Sequence, residues 1–517
     1  MNAFPPPRHV TRGIYGLLAH PIYTGFALVC FGVSIAAGSR SGLWLVSPVV
    51  VLASVALVLG YERHDLRARF PGARASPWLG LPPEDDASPS LSERLSACVL
   101  ALGPWLLASA THARATDAGV LILALGAPFV APSRRELRRR VVHALLALPL
   151  VMPLHLLLPA LAPSARTVLA LLAADGWASR TPGARPGWRG LGLLLSSRDL
   201  APGNGGVGGV LASVGAFSLV VNAGAVWSWL RNLTERLANS WREGRVGPIR
   251  IINHGVWAAL GTSGGIAIIG TLIGPGHLAT VALAAFASLA CAALWAQWVE
   301  GSPSLLRPYG FYGGLLGVCL AAFGGPLFGT PVWLLLGTYA VAGPYVQAMG
   351  RLRCLVQGCC HGSETSPAIG IRYRHARSRV CRLAALTNVP IHATPLYSIL
   401  WNGVTALVLG RLWTLHAALH FIGGVYLMMN GLGRFVEEAY RGEPQTPILA
   451  RLRLYQWIAL GTVAAGALVT ALGRSANAPS PVPNLACLAA GALFGLVTWV
   501  AMGVDFPESN RRFSRLV

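Results

Sequence analysis

Gly350-Arg351-Leu352-Arg353-Cys354-Leu355-Val356-Gln357-Gly358-Cys359-Cys360-His361-Gly362 follows an apolar run from Thr330 to Ala348. That run is long enough to cross a bilayer as a helix, which takes about 20 residues. Arginines, a glutamine, cysteines, a histidine and glycines therefore stand where the hydrocarbon ends. Two more polar clusters sit beside later apolar runs: Ile391-His392-Ala393-Thr394-Pro395-Leu396-Tyr397 and Gly433-Arg434-Phe435-Val436-Glu437-Glu438-Ala439-Tyr440-Arg441. Charge kept within membrane sequence costs about 2.5 kcal/mol per residue or more, so its presence points to a site. The expectation is that the three clusters converge on a lipid phosphate.

The whole chain fits that reading. Of its 517 residues 54% are hydrophobic and 12% charged, and apolar runs of bilayer length recur along it. This predicts an all-α, polytopic helical membrane protein; the short alternating segments of a membrane barrel are absent. The formal charge is +22, and the 41 basic residues are all arginine. They sit mostly in short loops between apolar runs, which favours topogenic charge or headgroup contact over nucleic acid. Arginine-rich loops fall on both sides of the alternation, so orientation stays open. Cys30, Cys98, Cys291, Cys319 and Cys487 lie in apolar runs as small core residues. The N-terminus has no cleavable-signal pattern, so a retained membrane segment is expected there.

Four domains follow from composition: a hairpin block (1–75), a Pro-rich linker (76–95), a multi-span block without recognisable chemistry (96–240), and a C-terminal membrane block (241–517). In the third, Arg134 to Arg140 marks a cytoplasmic side. In the fourth, spans are expected at about 251–273, 278–297, 309–328, 331–348, 395–410, 414–430, 454–472 and 484–503. The segment 361–393, carrying Arg372, Arg374, Arg377, Arg379 and Arg382, is too polar for lipid and reads as a small extramembrane region.

Within these clusters each residue type suggests a role. Guanidinium forks at Arg351 and Arg434 can hold both oxygens of a phosphodiester. Glu438 lies one turn beyond Arg434 and can fix its rotamer, and Arg441 follows on the same side. His392 is a candidate general base or a hydrogen-bonded turn residue. Tyr312 is a candidate donor to a phosphate or carbonyl oxygen, or an interfacial aromatic. Cys354, Cys359, Cys360, His361 and Cys381 offer zinc-type donors. Because the adjacent cysteines lack the usual two-residue gap, no metal is expected; a disulfide or close-packed thiols is.

Two family resemblances emerge from these motifs. The order of Ile249-Arg250, Gly313-Gly314-Leu315-Leu316-Gly317, Gly350-Arg351, His392-x-Thr394-x-Leu396-Tyr397, Arg434-Phe435 with Glu438 and Arg441, and Gln456 resembles the prolipoprotein diacylglyceryl transferases over about residues 247–472. That resemblance implies a multi-pass enzyme of the bacterial inner membrane. Its reaction moves the diacylglyceryl group of phosphatidylglycerol to the thiol of a lipobox cysteine in a preprolipoprotein, without a cofactor. It further implies Arg351, Arg434, Glu438, His392 and Tyr312 as catalytic residues, and Gly313, Gly314, Gln357, Gly362, Tyr397 and Arg441 as substrate contacts. The family usually has Asn and Glu at the places of Cys354 and Cys359, and His at that of Tyr312. It has Pro, Gln and Glu where this chain has Ala393, Pro395 and Ser398. With such changes another thiol or alcohol as acceptor, or lipid binding without turnover, remains an alternative reading.

At the other end His20-Pro21-Ile22-Tyr23-Thr24-Gly25, with Glu62 after a helical hairpin, resembles the isoprenylcysteine carboxyl and phospholipid methyltransferases over about residues 15–75. This implies S-adenosylmethionine held by His20, Tyr23, Gly25 and Glu62. Ala19 and Arg63 replace the family's usual Arg and second Glu, and a purely structural hairpin is the competing reading.

Overall fold

The computed structural model describes residues 20–70 apart from 40, scattered positions between 88 and 137, and residues 223–299, 310–442, 447–483 and 485–509. The chain divides into two compact units, Met1–Trp229 and Leu230–Val517. Most of the Pro-rich linker and nearly all of the expected multi-span block, with the arginines of its Arg134–Arg140 run, lie outside the described residues.

In the first unit α1 (Pro21–Ala36) turns back on a second helical stretch, α2 (Ser47–Leu57). A π-turn, Gly42–Val46, precedes α2, and another, Val58–Glu62, joins it to α3 (Arg63–Arg69). Ser34 Oγ meets Ser47 Oγ at 3.3 Å across the hairpin, satisfying two hydroxyls that lipid cannot. The second π-turn carries Glu62, and such turns re-aim side chains within a helix.

The second unit opens with the C-terminal half of α4 (Ala223–Ala238) and an antiparallel pair, β1 (Glu243–Val246) and β2 (Ile249–Ile252). Gly247, at φ +57°, makes the turn between them. The expected span at 251–273 therefore starts later than hydropathy suggests, because its first residues pair in this sheet. The long helices are α5 (Gly255–Ile273), α6 (Leu278–Trp298), α7 (Phe311–Gly324) and α8 (Val332–Gln357). After a short α9 (Arg379–Arg382) come α10 (Thr394–Thr414) and α11 (Leu419–Ala439). The hairpin β3 (Ile448–Leu449) and β4 (Leu452–Arg453) leads into α12 (Leu454–Leu472) and α13 (Leu485–Gly503), and β5 (Val504–Asp505) closes on β2.

The protein is a helical, multi-pass membrane protein. The stretches of α5, α6, α7 with its 3-10 extension, α12 and α13 are each long and apolar enough to cross a bilayer. α8, α10 and α11, of 26, 21 and 21 residues, have the length but carry the polar side chains of the clusters. α8 and α11 run past the expected ends at 348 and 430, so Arg351 and the whole Arg434–Glu438 stretch are helical rather than loop. α8 packs against α5, α7, α10 and α11 and is the axis of the unit. An apolar cluster of Ile269, Ile273, Val281, Ala284, Ala321, Ala322, Leu335 and Ala342 fills the space between α5, α6, α7 and α8. The small side chains at four of those eight positions permit close approach where lipid offers no hydrophobic driving force.

The expected extramembrane segment, 361–393, rests on the end of α4. Arg231 donates to the Pro367 carbonyl at 2.8 Å, Asn239 to that of Arg372 at 2.9 Å, and Arg374 pairs with Glu235 at 2.7 Å. Arg377 pairs with Glu243 at 3.2 Å. Two arginines of this segment are thus occupied by the protein's own carboxylates.

Candidate functional site

Side-chain amides set the register of α8 against α11. Gln347 donates to the Tyr426 hydroxyl at 2.7 Å and accepts from Asn430 at 3.1 Å. One turn further along each helix stand Arg351 and Arg434, so the ladder that aligns the amides also brings the two arginines to one level.

They meet on Glu437. Arg351 Nη2 lies 2.8 Å from Glu437 Oε1, and Arg434 Nη1 lies 3.3 Å from the same oxygen. Arg441 Nη2 reaches it at 3.4 Å. Ser398 of α10 bridges the rim, accepting from Arg351 Nε at 3.2 Å and donating to Glu437 Oε2 at 3.2 Å. Beside this knot Glu438, fully buried, pairs with Arg434 Nη2 at 2.9 Å and with Arg453 Nη1 at 3.5 Å. Four guanidiniums thus share two carboxylates, an excess of two positive charges. Arg441 is 3% exposed, and its Nη1 has no hydrogen-bond partner among the described residues. A buried charge set of this kind is expensive to assemble, and an uncompensated member more so. The Arg434 guanidinium also sits 4.9 Å over the Tyr455 ring, a further stabilising contact.

The remaining expected residues are distributed around the second unit. His392 Nδ1 is 3.1 Å from the Tyr397 hydroxyl, and its ring meets that of Tyr440 edge-on at 4.9 Å. These three form an aromatic patch beside the loop that carries Gly362. There the Gly362 amide donates to the His392 carbonyl at 3.1 Å, and Gly442 donates to the His361 carbonyl at 3.1 Å. A Cβ on Gly362 would strike the His392 carbonyl, so the glycine is what lets the segments 360–363, 391–394 and 440–442 run together. Tyr312 of α7 is buried between Trp295 and Tyr455, with ring centroids 6.2 and 5.4 Å away, one aromatic removed from Arg434. Gln357 is buried at the end of α8. Gly313 and Gly314 face α6: a Cβ on Gly313 would collide with the Cys291 carbonyl and Trp295, and one on Gly314 would press on Ser288 Oγ at 3.2 Å. Their contacts are helix packing rather than the charged knot.

Next to the arginines lie three thiols. The Sγ atoms of Cys354, Cys359 and Cys360 are all within 4.8 Å of one another, and the cysteines are free. Close-packed thiols are therefore present and a disulfide is not. Their convergence comes from the backbone. Gly358, at φ +75°, ends α8 in a left-handed cap whose amide donates to the Cys354 carbonyl. Cys360 also takes φ +58°, costing a side-chain-bearing residue about 1–2 kcal/mol. Thr394 Oγ1, donating to the Cys360 carbonyl at 2.7 Å, holds it there. Hydrogen bonds from the Cys354 and Cys359 thiols, with the charges of Arg441 and Arg351, hold the Cys360 thiol well below its usual pKa.

Sequence reasoning passed over Glu437, Arg453, Tyr455 and the bridging role of Ser398. For Glu437 the signal was its spacing, three residues after Arg434 and four before Arg441.

In the first unit His20 Nδ1 lies 3.4 Å from Glu62 Oε1, and the Tyr23 ring stands 6.2 Å from that of His20. Gly25 is exposed, with open space around it. The hairpin so brings three of the four residues expected at a cofactor together.

Two stretches of the chain are similar to known families. The sequence profile of the prolipoprotein diacylglyceryl transferases matches residues 309–472, and that of the phospholipid methyltransferases matches residues 3–70. The chain is 29% identical over 130 residues to a phosphatidylglycerol–prolipoprotein diacylglyceryl transferase of Clostridium tetani, covering 25% of this chain and 49% of the relative. It is 27% identical over 123 residues to phosphatidylglycerol–prolipoprotein diacylglyceryl transferase 2 of Clostridium perfringens, covering 24% of this chain and 45% of the relative. The chain spans about half the length of the curated relatives it matches.

Proposed function

We propose that the arginine–carboxylate knot binds the phosphodiester of phosphatidylglycerol and that the second unit transfers its diacylglyceryl group to a cysteine thiol of a prolipoprotein. The observation that carries this is the excess of two positive charges in a buried site, with Arg441 Nη1 still without a hydrogen-bond partner among the described residues. A phosphodiester brings one negative charge; when its glycerol C–O bond breaks, the leaving glycerol phosphate acquires a second. Donors already fixed in a dry site stabilise such growing charge without reorganising. Arg351 and Arg434 are the catalytic pair, Glu437 and Glu438 orient them, and Arg441 contacts the leaving phosphate. The segments bearing His392, Tyr397, Tyr312 and Gly362 shape the walls around the substrates. The bilayer supplies the lipid, so the setting is a bacterial cytoplasmic membrane, and the transfer calls for no organic cofactor.

The test is a mass measurement. Full-length protein in phosphatidylglycerol liposomes should add a diacylglyceryl group to a lipobox peptide. Arg351→Ala or Arg434→Ala should slow this by at least about 100-fold. An increase that neither variant slows rejects the reading, and lipid retention without any increase identifies a binder instead.

The paired His20 and Glu62, in a segment similar to phospholipid methyltransferases, support a second, separate reading for the first unit: S-adenosylmethionine bound at His20, Tyr23, Gly25 and Glu62. Binding of that cofactor, lost on His20→Ala and Glu62→Ala, is the expected result; no binding to the unaltered protein rejects it.

A further inference from the structure

We propose that Cys354, Cys359 and Cys360 form a trithiolate zinc site whose fourth position takes the acceptor cysteine of the transfer reaction; this rests on the reading of the second unit as a diacylglyceryl transferase. Zinc binds thiolate at about 2.3 Å with tetrahedral geometry, which sets neighbouring sulfurs about 3.8 Å apart. Three sulfurs within 4.8 Å of one another need only a small closure to reach that arrangement. The sequence argument against a metal was that adjacent cysteines lack the two-residue gap that lets both sulfurs face one ion. Here the left-handed backbone of Cys360, pinned by buried Thr394, turns its side chain back towards Cys354 and Cys359. Spending conformational energy on a non-glycine residue in this region is what a ligand set calls for and what a loose thiol does not.

Charge and occupancy agree. A zinc ion with three thiolates carries a net negative charge, and Arg351 and Arg441 lie within electrostatic range of Cys354 and Cys360. Arg351 is also three residues before Cys354 in α8, so both project from one side of that helix. Three protein ligands leave one tetrahedral position open, which separates a reactive site from a structural one.

The open position answers a chemical need. A thiol must lose its proton before it can attack carbon, and the three thiols stand beside the arginines proposed to hold the lipid phosphate. A thiol coordinated to zinc is deprotonated outright. The acceptor thiol binds the ion and releases its proton to water. Its sulfur then attacks the diacylglycerol carbon of phosphatidylglycerol that is bonded to the phosphate oxygen. A carbon–sulfur bond forms as the carbon–oxygen bond breaks, its electron pair leaving on the oxygen of glycerol phosphate held by the arginines. The neutral thioether product binds zinc weakly and departs. No electrons are exchanged with any other reagent.

Cobalt(II) reports the site independently of turnover. Purified full-length protein reconstituted with cobalt should show thiolate-to-cobalt charge transfer, and elemental analysis of untreated protein should find one zinc per chain. Adding a lipobox peptide with one cysteine should change the cobalt spectrum, while the serine version of the peptide should not. Cys359→Ser or Cys360→Ser should abolish the charge-transfer band and lower transfer to the peptide at least 10- to 100-fold. Phosphatidylglycerol binding by these variants serves as the check that the unit is folded. Protein that transfers lipid with no zinc, no thiolate band and only one titratable thiol of the three overturns the proposal and leaves the transferase reading standing. A peptide-sensitive cobalt spectrum in protein that never transfers lipid supports the metal site and overturns the transferase reading instead.

Discussion

Glu437 is the residue on which the knot turns, since one of its oxygens is approached by Arg351, Arg434 and Arg441. Glu437→Gln keeps the shape and removes the charge, leaving four guanidiniums against one carboxylate. Breaking a buried pair this way costs about 3–5 kcal/mol. Thermal unfolding should report that loss, and the proposed phosphatidylglycerol-dependent transfer should fall about 100-fold as Arg351 and Arg434 lose their shared anchor. A variant as stable and active as the parent would remove Glu437 from the scheme. The Arg434–Glu438 contact was legible because both ends lie on one helix, four residues apart. Arg351 comes to Glu437 from 86 residues away, and no local pattern encodes that. Cys360 was illegible for another reason: its left-handed backbone is a habit of glycine and asparagine, which the sequence there does not show.

His254 carries a prediction of a different kind. It is fully buried against Trp241, and burial, with the charges of Arg353 and Arg250, pushes its pKa down to about 3. The unfolded chain takes up this proton near pH 6.5, the folded one only near 3. Below pH 6.5 the unfolded state therefore binds more protons, and stability should fall by about 1.4 kcal/mol per pH unit as acid is added. His254→Gln should flatten that slope between pH 6.5 and 5 in thermal unfolding, and an unchanged slope would show that another group sets it.

At the level of elements, α8 does two jobs, and the glycine that ends it separates them. A Cβ on Gly358 would meet Ser378 Oγ at 2.6 Å and would have to bear φ +75°. Gly358→Ala should cost about 1–2 kcal/mol in strain alone and should misplace the three thiols. Gly350→Ala, on the same helix with nothing within 4 Å, should be tolerated and should gain helix propensity. Equal stability of the two variants in thermal unfolding would refute this account of the cap. The existence and order of the long helices of the second unit were readable from hydropathy. Their ends were not: α8 and α11 continue through polar residues because the neighbouring helices, not lipid, receive those side chains.

For the whole second unit, the decisive long-range contact is Arg250 with Asp505. Arg250 Nε and Nη2 donate to the two carboxylate oxygens at 2.9 and 2.6 Å, and the same residues are partners across β2 and β5. Both side chains are buried, so Asp505→Ala should destabilise the unit by about 3–5 kcal/mol. The drop should appear in thermal unfolding, while transfer at a permissive temperature persists because the pair lies outside the charged knot. Unchanged stability would mean that the sheet closes without it. Hydropathy gave no hint of this sheet, whose strands are too short to leave a pattern.

That contact also sets a timetable for biosynthesis. Arg250 leaves the ribosome 255 residues ahead of Asp505, its closer counter-ion, and until then has Glu243, 3.6 Å away in the folded unit, to pair with. At about 5–20 residues per second the delay is roughly 13–50 s. Through that interval the guanidinium relies on Glu243 and on water at the membrane surface, so the helices between are inserted before β5 can close on β2. A nascent chain arrested short of residue 505 should accordingly leave the start of this unit open to protease.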